Sequence, residues 1–230
     1  MGSIYLVRHG QASFGTDDYD RLTETGFTQA RLLGAYFARR NIRFDAVYTG
    51  TLRRHAETAQ GMAEGHGDGK WPPAERLPAL DEYNSEAIVT AFAGALPAKD
   101  PAAAQRDPDR VREHFRLLRE ALLAWAEDAC QPPGMPTWRT FQDGAVATLV
   151  EARRRFTNGT VLVVSSGGPI AAIVAASLLS PPPVAIELNL RLRNSSVSEF
   201  ASSARGHQLV TFNTLPHLEA SHDPTLWTYA

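Results

Sequence analysis

The stretch "SIYLVRHG", residues 3–10, sets an arginine and a histidine directly after a short apolar run. Such a run, bounded by polar residues, predicts a buried strand. The next stretch, "LTETGFTQARLLGAYFARRN" at 22–41, predicts a helix because its apolar residues recur at helical spacing. A second strand at 44–50 and a second helix at 52–64 follow. This alternation predicts an α/β fold, a three-layer sandwich whose central sheet is mostly parallel.

A later stretch, "TVLVVSSGGPIAAIVAASLL" at 160–179, repeats the pattern of strand, turn and helix. Its β-branched strand is expected to end at Ser165, a small-residue turn to follow at 166–168, and Pro169 to open the helix. The first N–H groups of a helix have no partner within it and favour an anion. The sequence therefore predicts that the end of this strand, like the end of the first one, carries polar groups and can bind an anion.

The rest of the chain predicts a single domain, 1–230, with an insertion at about 83–137. Residues 65–106 are expected to be irregular. An amphipathic helix is expected at 107–130, capped by Asp107. The remaining elements are expected to be a helix at about 138–156 and strands at 184–194, 195–201 and 208–213.

Composition bounds the class of protein. The 230 residues are 43% hydrophobic, which is enough for one sizeable core. A net charge of −2 gives no basic balance, so no nucleic-acid partner is expected. The single cysteine, Cys130, excludes an intrachain disulfide and fits a reducing compartment. The N-terminus lacks a signal-peptide pattern and the longest apolar stretch, 169–179, is too short to span a bilayer, so a cytoplasmic protein without a membrane partner is expected.

Three polar segments follow predicted strands: Arg8-His9-Gly10, the segment 49–54 and the segment 165–168. In an open parallel sheet, ligands bind at the carboxyl ends of the strands. Two arginines, a histidine and a helix N-terminus can therefore converge on one doubly charged oxyanion, for which phosphate is the natural candidate.

These motifs, in this order, resemble the histidine phosphatase superfamily, also called the phosphoglycerate mutase-like family, over nearly the whole chain. The family opens with a strand running into R-H-G, here "LVRHGQAS" at 6–13, and continues with L-T-x-x-G-x-x-Q-A, here "LTETGFTQA" at 22–30. An S-x-L-x-R-A-x-x-T-A pattern follows, here "GTLRRHAETA" at 50–59. Leucine-x-glutamate is matched by "LDEYN" at 80–84, and V-x-S-H-G-G by "VVSSGGPI" at 163–170. The final S-x-x-x-F/L and N-x-x-x-H-L patterns are matched by "SSVSEF" and "NTLPHL".

The resemblance implies a two-step phosphoryl transfer on His9. The imidazole would attack phosphorus and become a phosphohistidine, and water would then release phosphate. A backbone carbonyl near the R-H-G turn would fix the tautomer of the ring. Arg8 and Arg54 would bind the phosphoryl oxygens, with Arg53 as the alternative to Arg54.

Glu82 would be the general acid for the leaving oxygen and then the base for water, with Asp81 and Glu86 as fallback acids. Gly10 and Gly167 would complete the binding site, in which Gly167 and its neighbour offer backbone N–H groups. Ser13 is either a hydroxyl donor to phosphate or a solvated loop serine. The insertion would form a lid over the site and set substrate choice.

The chain departs from the family at Ser166, where the family has a second histidine, and at Gly15, where mutase-like members often have asparagine. Serine offers a shorter, neutral donor, which implies a weaker site. Helix N–H groups, a water molecule or His217 could take over the missing role, whereas the other two helix histidines, His55 and His114, are expected to be surface or packing residues. A site that is merely weakened would keep or gain activity with Ser166→His, and a large loss would mean that the pocket is rebuilt around serine.

The sequence thus predicts a phosphatase that needs neither cofactor nor metal and acts on a small phosphate ester or a phosphoprotein. The alternatives are a catalytically silent protein that binds a phosphorylated ligand and, further off, a phosphoglycerate mutase. Retention of His9 and Glu82 argues against pure binding, because binding needs neither a nucleophile nor an acid. The oligomeric state is left open.

Overall fold

A computed structural model describes residues 1–13, 20–94, 108–219, 221 and 223–229. The strands share one six-stranded sheet and are Gly2–Arg8 (β1), Ala46–Thr49 (β2), Ala74–Arg76 (β3), Thr160–Ser165 (β4), Val197–Ser203 (β5) and Gly206–Thr214 (β6). The α-helices are Glu24–Arg39 (α1), Arg53–His66 (α2), Ser85–Ala93 (α3), Pro108–Ala126 (α4), Trp138–Arg155 (α5), Gly167–Ser177 (α6), Pro182–Asn189 (α7) and Pro216–Glu219 (α8). Short 3₁₀ turns lie at Pro78–Leu80 and Pro224–Leu226.

The sheet has the strand order β3-β2-β4-β1-β5-β6. Strands β3, β2, β4 and β1 run parallel, β5 is antiparallel to β1, and β6 is antiparallel to β5. The late strand β4 therefore lies between the two earliest ones. The predicted mostly parallel sheet is confirmed.

Alternate residues of β1 face two different apolar layers, as the two-residue period of a strand requires. Ile4 and Leu6 pack in one buried cluster with residues of α5 and α6, whereas Tyr5 and Val7 pack in another with residues of α1 and α2. The sheet is thus covered on both faces, which confirms the three-layer sandwich.

The predicted strand at 184–194 is wrong, because this segment forms α7 and the turn after it. Proline occupies the first turn of α7, where its fixed φ suits a helix. Ala185 and Ile186 are buried on that helix and pack in one cluster with Ala172 and Ala175 of α6.

The prediction that 65–106 is irregular is also wrong for its described part. Strand β3 extends the sheet, and α3 begins at an asparagine cap, because the Asn84 side chain accepts from Ala87 N. Helix α6 begins at Gly167 rather than at Pro169. The predicted cap Asp107 lies outside the described residues.

Helices α3 and α4, which lie within the predicted insertion, form a third apolar cluster with α5, α6 and α7. Leu118, Leu122 and Trp125 of α4 are buried in it, as the apolar stripe of that helix predicts. Trp125 also packs edge-on against Tyr83, which directly follows Glu82 in the chain. None of the described helices is long and apolar enough to cross a membrane.

Candidate active site

The carboxyl ends of three neighbouring strands form the candidate site. Arg8 closes β1 and is paired in register with Ser165, which closes β4, while Thr49 closes β2 beside Val164. Because β4 lies between β1 and β2, the polar segments after all three strands emerge side by side. This strand order brings the segments after β1, β2 and β4 to the same edge of the sheet, where they were predicted to converge.

His9 is buried, and its ring is fixed by its neighbour in the chain. Its Nδ1 lies 2.7 Å from the carbonyl oxygen of Gly10, so Nδ1 carries the proton and donates it, and the lone pair is on Nε2. The backbone is held as well, since His9 N donates to Ser165 O at 2.9 Å and Ser195 N donates to His9 O at 3.0 Å. Burial, with the positive charges of Arg8 and Arg54, lowers the pKa of His9 well below its usual range, which keeps the imidazole neutral.

Gly10 lets the start of α1 approach the turn after His9. A Cβ on Gly10 would collide with the backbone of Gly26, and the Gly10 N–H donates to Thr58 Oγ1 at 3.1 Å. Thr23 caps α1 by accepting from Gly26 N. The turn is thus packed between α1 and α2, and the predicted residue Gly10 has a structural role here.

Arg8 and Arg54 are both buried. The positive charge of each acts on the His9 imidazole and lowers its pKa. Nη1 of Arg8 donates to Leu192 O at 2.5 Å. Arg54 forms an ion pair with Asp20 at 2.8 Å, and its Nη2 lies 3.5 Å from Ser166 Oγ.

The alternative, Arg53, points away from the site. Its side chain is half exposed and pairs with Glu57 at 2.7 Å, four residues further along the same helix. The structure therefore brings Arg54 and not Arg53 to the strand ends.

The Glu82 carboxylate reaches the site from the segment between β3 and α3. Its two oxygens each lie 3.2 Å from Gly168 N, and Oε1 also accepts from Tyr83 N at 3.3 Å. Burial raises the pKa of Glu82, against the opposing influence of the Gly168 hydrogen bond and of the charges of Arg54 and Arg8. At this carboxyl group, burial therefore outweighs the influences that lower the pKa.

Neither fallback acid takes the place of Glu82. Asp81 accepts hydrogen bonds from the backbone and the hydroxyl of Thr51, which occupy its carboxylate. Glu86 is exposed in the first turn of α3. Glu82 is the one of the three whose carboxylate meets the helix that follows β4.

Ser166 and Gly167 occupy the start of α6. Ser166 is fully buried at the N-cap, and a Cβ on Gly167 would collide with Asn189 Oδ1 and touch Arg8 Nε. The N–H of Gly168 is already bound to Glu82, so of the two expected backbone donors only that of Gly167 is left for a ligand.

Ser13 stands at the edge of the described chain. Its backbone N–H donates to Arg21 O at 2.9 Å, and its side chain is partly buried. The expected hydroxyl contact to phosphate stays a prediction. Gly15 lies outside the described residues.

His55 is the residue that the sequence analysis missed. It is fully buried, its Nε2 lies 2.7 Å from Ser166 Oγ, and its ring centre lies 5.8 Å from that of His9. The surface alternative is therefore wrong for His55, which packs in the interior beside Ser166, whereas His114 is exposed. The available signal was a histidine at the alanine position of the R-A motif.

His217 does not reach Ser166. Its Nε2 lies 2.9 Å from the hydroxyl of Ser195, whose backbone N–H holds the carbonyl of His9. His217 thus supports the turn behind His9 and does not replace the missing imidazole.

A model of the histidine phosphatase superfamily (branch 1) matches residues 4–106 and 102–215. No curated protein matches the chain in sequence. Among solved structures, the chain resembles phosphoserine phosphatase from Entamoeba histolytica, with 21% identity, coverage of 95% of this chain and 100% of that one, and a TM-score of 0.65.

A phosphoglycerate mutase from Bacillus anthracis is similar over 96% of both chains, with 20% identity and a TM-score of 0.64. A mycobacterial glucosyl-3-phosphoglycerate phosphatase is similar over 92% of this chain and 99% of its own, with 21% identity and a TM-score of 0.62. At such identities these likenesses show a shared fold, and the superfamily match, which spans most of the sequence, shows the family. The chain belongs to the histidine phosphatase superfamily, branch 1.

Proposed function

We propose that this protein is a phosphatase that hydrolyses a phosphate monoester through a phosphohistidine intermediate on His9. The observation that carries the proposal is the state of the His9 ring. Its Nδ1–H is bound to Gly10 O, and burial together with Arg8 and Arg54 keeps the ring neutral, which leaves the Nε2 lone pair for attack.

In the first step, Nε2 of His9 forms a bond to phosphorus as the ester P–O bond breaks. Arg8 and Arg54 stabilise the negative charge on the equatorial oxygens, and removal of one such donor costs about 100- to 1000-fold in rate. Glu82, whose raised pKa favours the protonated form, gives its proton to the leaving oxygen.

In the second step, water attacks the phosphorus of the phosphohistidine. Glu82, now a carboxylate, takes a proton from the water, the N–P bond breaks, and inorganic phosphate leaves. His9 returns to its neutral form and Glu82 to its protonated form, so atoms and charges balance over the cycle. No step needs a cofactor or a metal ion.

The substrate class that we propose is a small phosphate ester. Two of the similar structures carry the names of phosphatases that act on small esters, phosphoserine and glucosyl-3-phosphoglycerate. Tyr83, at the start of the predicted insertion, lies against the backbone of Gly168 and accepts a 2.7 Å hydrogen bond from Asn189. This polar and aromatic wall beside Glu82 would border the leaving group.

Hydrolysis of p-nitrophenyl phosphate in the presence of a chelator tests the proposal. Wild type is expected to turn over, His9→Ala to be inactive, and His114→Ala, an exposed control, to match wild type. Rapid quench is expected to trap phosphate on the protein that is labile in acid and stable in base.

Two results would overturn the proposal. Absence of both hydrolysis and phosphoprotein at every pH between about 5 and 8 would favour the silent binding protein. Equal activity of wild type and His9→Ala would mean that another group attacks phosphorus. Comparison of phosphoserine with a phosphoserine peptide separates the small ester from the phosphoprotein.

A further inference from the structure

His55 is a buried titratable group that the mechanism above does not use. We propose that His55 and Ser166 work as one hydrogen-bonding unit, in which the imidazole of His55 holds the Ser166 hydroxyl so that its proton points at the transferring phosphoryl group. The proposal rests on the proposed function of the same site. Ser166 would touch the phosphoryl group, and His55 would be a positioning residue behind it.

The geometry around Ser166 Oγ supports this arrangement. His55 Nε2 lies 2.7 Å from this oxygen and Arg54 Nη2 lies 3.5 Å from it. A hydroxyl has two acceptor lone pairs and one proton to donate, and a guanidinium can only donate. If His55 also donates through Nε2–H, both lone pairs are engaged and the hydroxyl proton is left for a third partner. A phosphoryl oxygen held by Arg54 is the partner that fits.

With the other tautomer of His55, the Ser166 hydroxyl could no longer donate its proton to a phosphoryl oxygen. If His55 accepted the Ser166 proton, only oxygen lone pairs would remain to face a phosphoryl dianion, and these would repel it. Among the described residues, His55 Nδ1 makes no hydrogen bond, and the nearest carboxylate oxygen, Asp81 Oδ1, is 3.8 Å away. That carboxylate is too far away to accept a hydrogen bond, but its charge favours a proton on Nδ1, so a dianion bound beside Ser166 has to outweigh it to hold the proton on Nε2.

Gly50 makes the space in which the His55 ring lies. A Cβ built on Gly50 would collide with Nδ1 and Cε1 of His55 and with Asp81 Oδ1. Any side chain at this position would push the imidazole out of its present place. The glycine is needed here for close approach.

The same three positions depart from the motifs together. In the patterns quoted for the family, the positions of Gly50, His55 and Ser166 read serine, alanine and histidine. In this chain the imidazole is on α2, a hydroxyl replaces it after β4, and the residue that would crowd the new ring is a glycine. Three departures that meet in one contact indicate a site rebuilt around serine rather than a site that lost a histidine.

A set of variants assayed with p-nitrophenyl phosphate tests the unit. Ser166→Ala and His55→Ala are each expected to lower kcat by about 100-fold, and the double variant to lose no more than either single one, because the two residues act together. His55→Gln, whose amide can still donate to Ser166, is expected to recover part of the loss. His114→Ala is the matched histidine control.

The exchange of the two side chains is the sharpest comparison. Ser166→His alone is expected to lose activity, because Ser166 is fully buried and its hydroxyl already lies 2.7 Å from His55. Adding His55→Ala to Ser166→His vacates that space, and activity is expected to return towards the wild-type level. Thermal unfolding of each variant shows whether it is folded.

A second readout does not depend on turnover. In ¹⁵N-labelled protein saturated with orthovanadate, the Nε2 of His55 is expected to carry a proton, and Ser166→Ala and His55→Ala are each expected to bind vanadate about tenfold more weakly. A bare Nε2 in that complex, or a folded His55→Ala with wild-type kcat and vanadate affinity, would overturn the unit while leaving the phosphatase intact. An inactive wild type that shows the protonated Nε2 would instead remove the proposed function and keep the unit.

Discussion

Both carboxylate oxygens of Glu82 lie 3.2 Å from the backbone nitrogen of Gly168. The proposed proton donor is thereby anchored to the helix whose N-cap is Ser166, the residue that we propose touches the phosphoryl group. Because this anchor is a backbone N–H, the position of the Glu82 carboxyl group depends on how closely the chain packs around Gly168.

Glu82→Gln tests the role of this carboxyl group. We expect kcat/KM for phosphoserine, whose leaving alkoxide needs a proton, to fall by about 100- to 10,000-fold, and kcat/KM for p-nitrophenyl phosphate, whose leaving phenolate needs none, to fall by less. Wild-type kcat/KM is expected to fall as the pH rises through the raised pKa of Glu82, because the first step needs the protonated acid. Glu86→Gln, an exposed neighbour, is the control. An unchanged alkaline limb in Glu82→Gln would assign the proton to another group.

Gly168→Ala tests the close packing around the acid. The added Cβ would collide with Glu82 Oε1 and with the Tyr83 ring, so the carboxyl group has to move. We expect kcat to fall by about 100-fold, since displacement by about 1 Å is enough for such a loss. Gly144→Ala is the matched control, because its Cβ would meet only Ala79 at an ordinary 3.6 Å. Equal kinetics of both variants would mean that Glu82 does not need this position.

Asp20→Asn tests how Arg54 is held. Asp20 pairs with Arg54 Nη1 at 2.8 Å and accepts from Arg53 N at 2.8 Å, which also satisfies a free N–H at the start of α2. We expect kcat to fall about tenfold and the free energy of unfolding to fall by about 1 kcal/mol. Asp143→Asn, from an exposed pair with Arg139, is the control. Wild-type kinetics in Asp20→Asn would contradict a positioning role for this carboxylate.

His217→Gln tests the origin of instability in acid. Burial lowers the pKa of His217 to about 3, whereas a histidine in the unfolded chain titrates near 6.5. As the pH falls from about 6.5 to about 3, His217 becomes protonated in the unfolded state but stays neutral in the folded state. Acidification therefore lowers the stability of the fold. We expect the Tm of wild type to fall over this range and that of His217→Gln to fall less steeply. His114→Gln, exposed, should keep the wild-type slope, and an equal slope in His217→Gln would contradict the assignment.

Much of this architecture could be predicted from sequence, because it depends on local patterns. The apolar run before Arg8 and the β-branched run before Ser166 each predict a strand, and the polar residue that follows is then fixed at a strand end. The choice of Arg54 over Arg53 followed from a motif register, and the helix geometry of α2 places only Arg54 inward.

What the sequence did not predict depends on contacts between distant segments. His55 is 111 positions from Ser166, and no spacing rule relates a residue in the first turns of a helix to the N-cap of another. The same holds for Gly50, because the need for glycine there comes from the neighbouring His55 ring and not from a turn. Helix α7 was mistaken for a strand because a short apolar pattern cannot distinguish the two without the partner that buries it.

The position of β4 between β1 and β2 also determines when the candidate active site can form during folding. Before residues 160–165 have joined the sheet, the segments that carry His9 and Arg54 are separated by a gap one strand wide, about 10 Å between the two strands that flank it. We therefore expect a nascent chain that ends before this strand to lack the proposed phosphate site, and affinity for inorganic phosphate to appear only once β4 has joined the sheet.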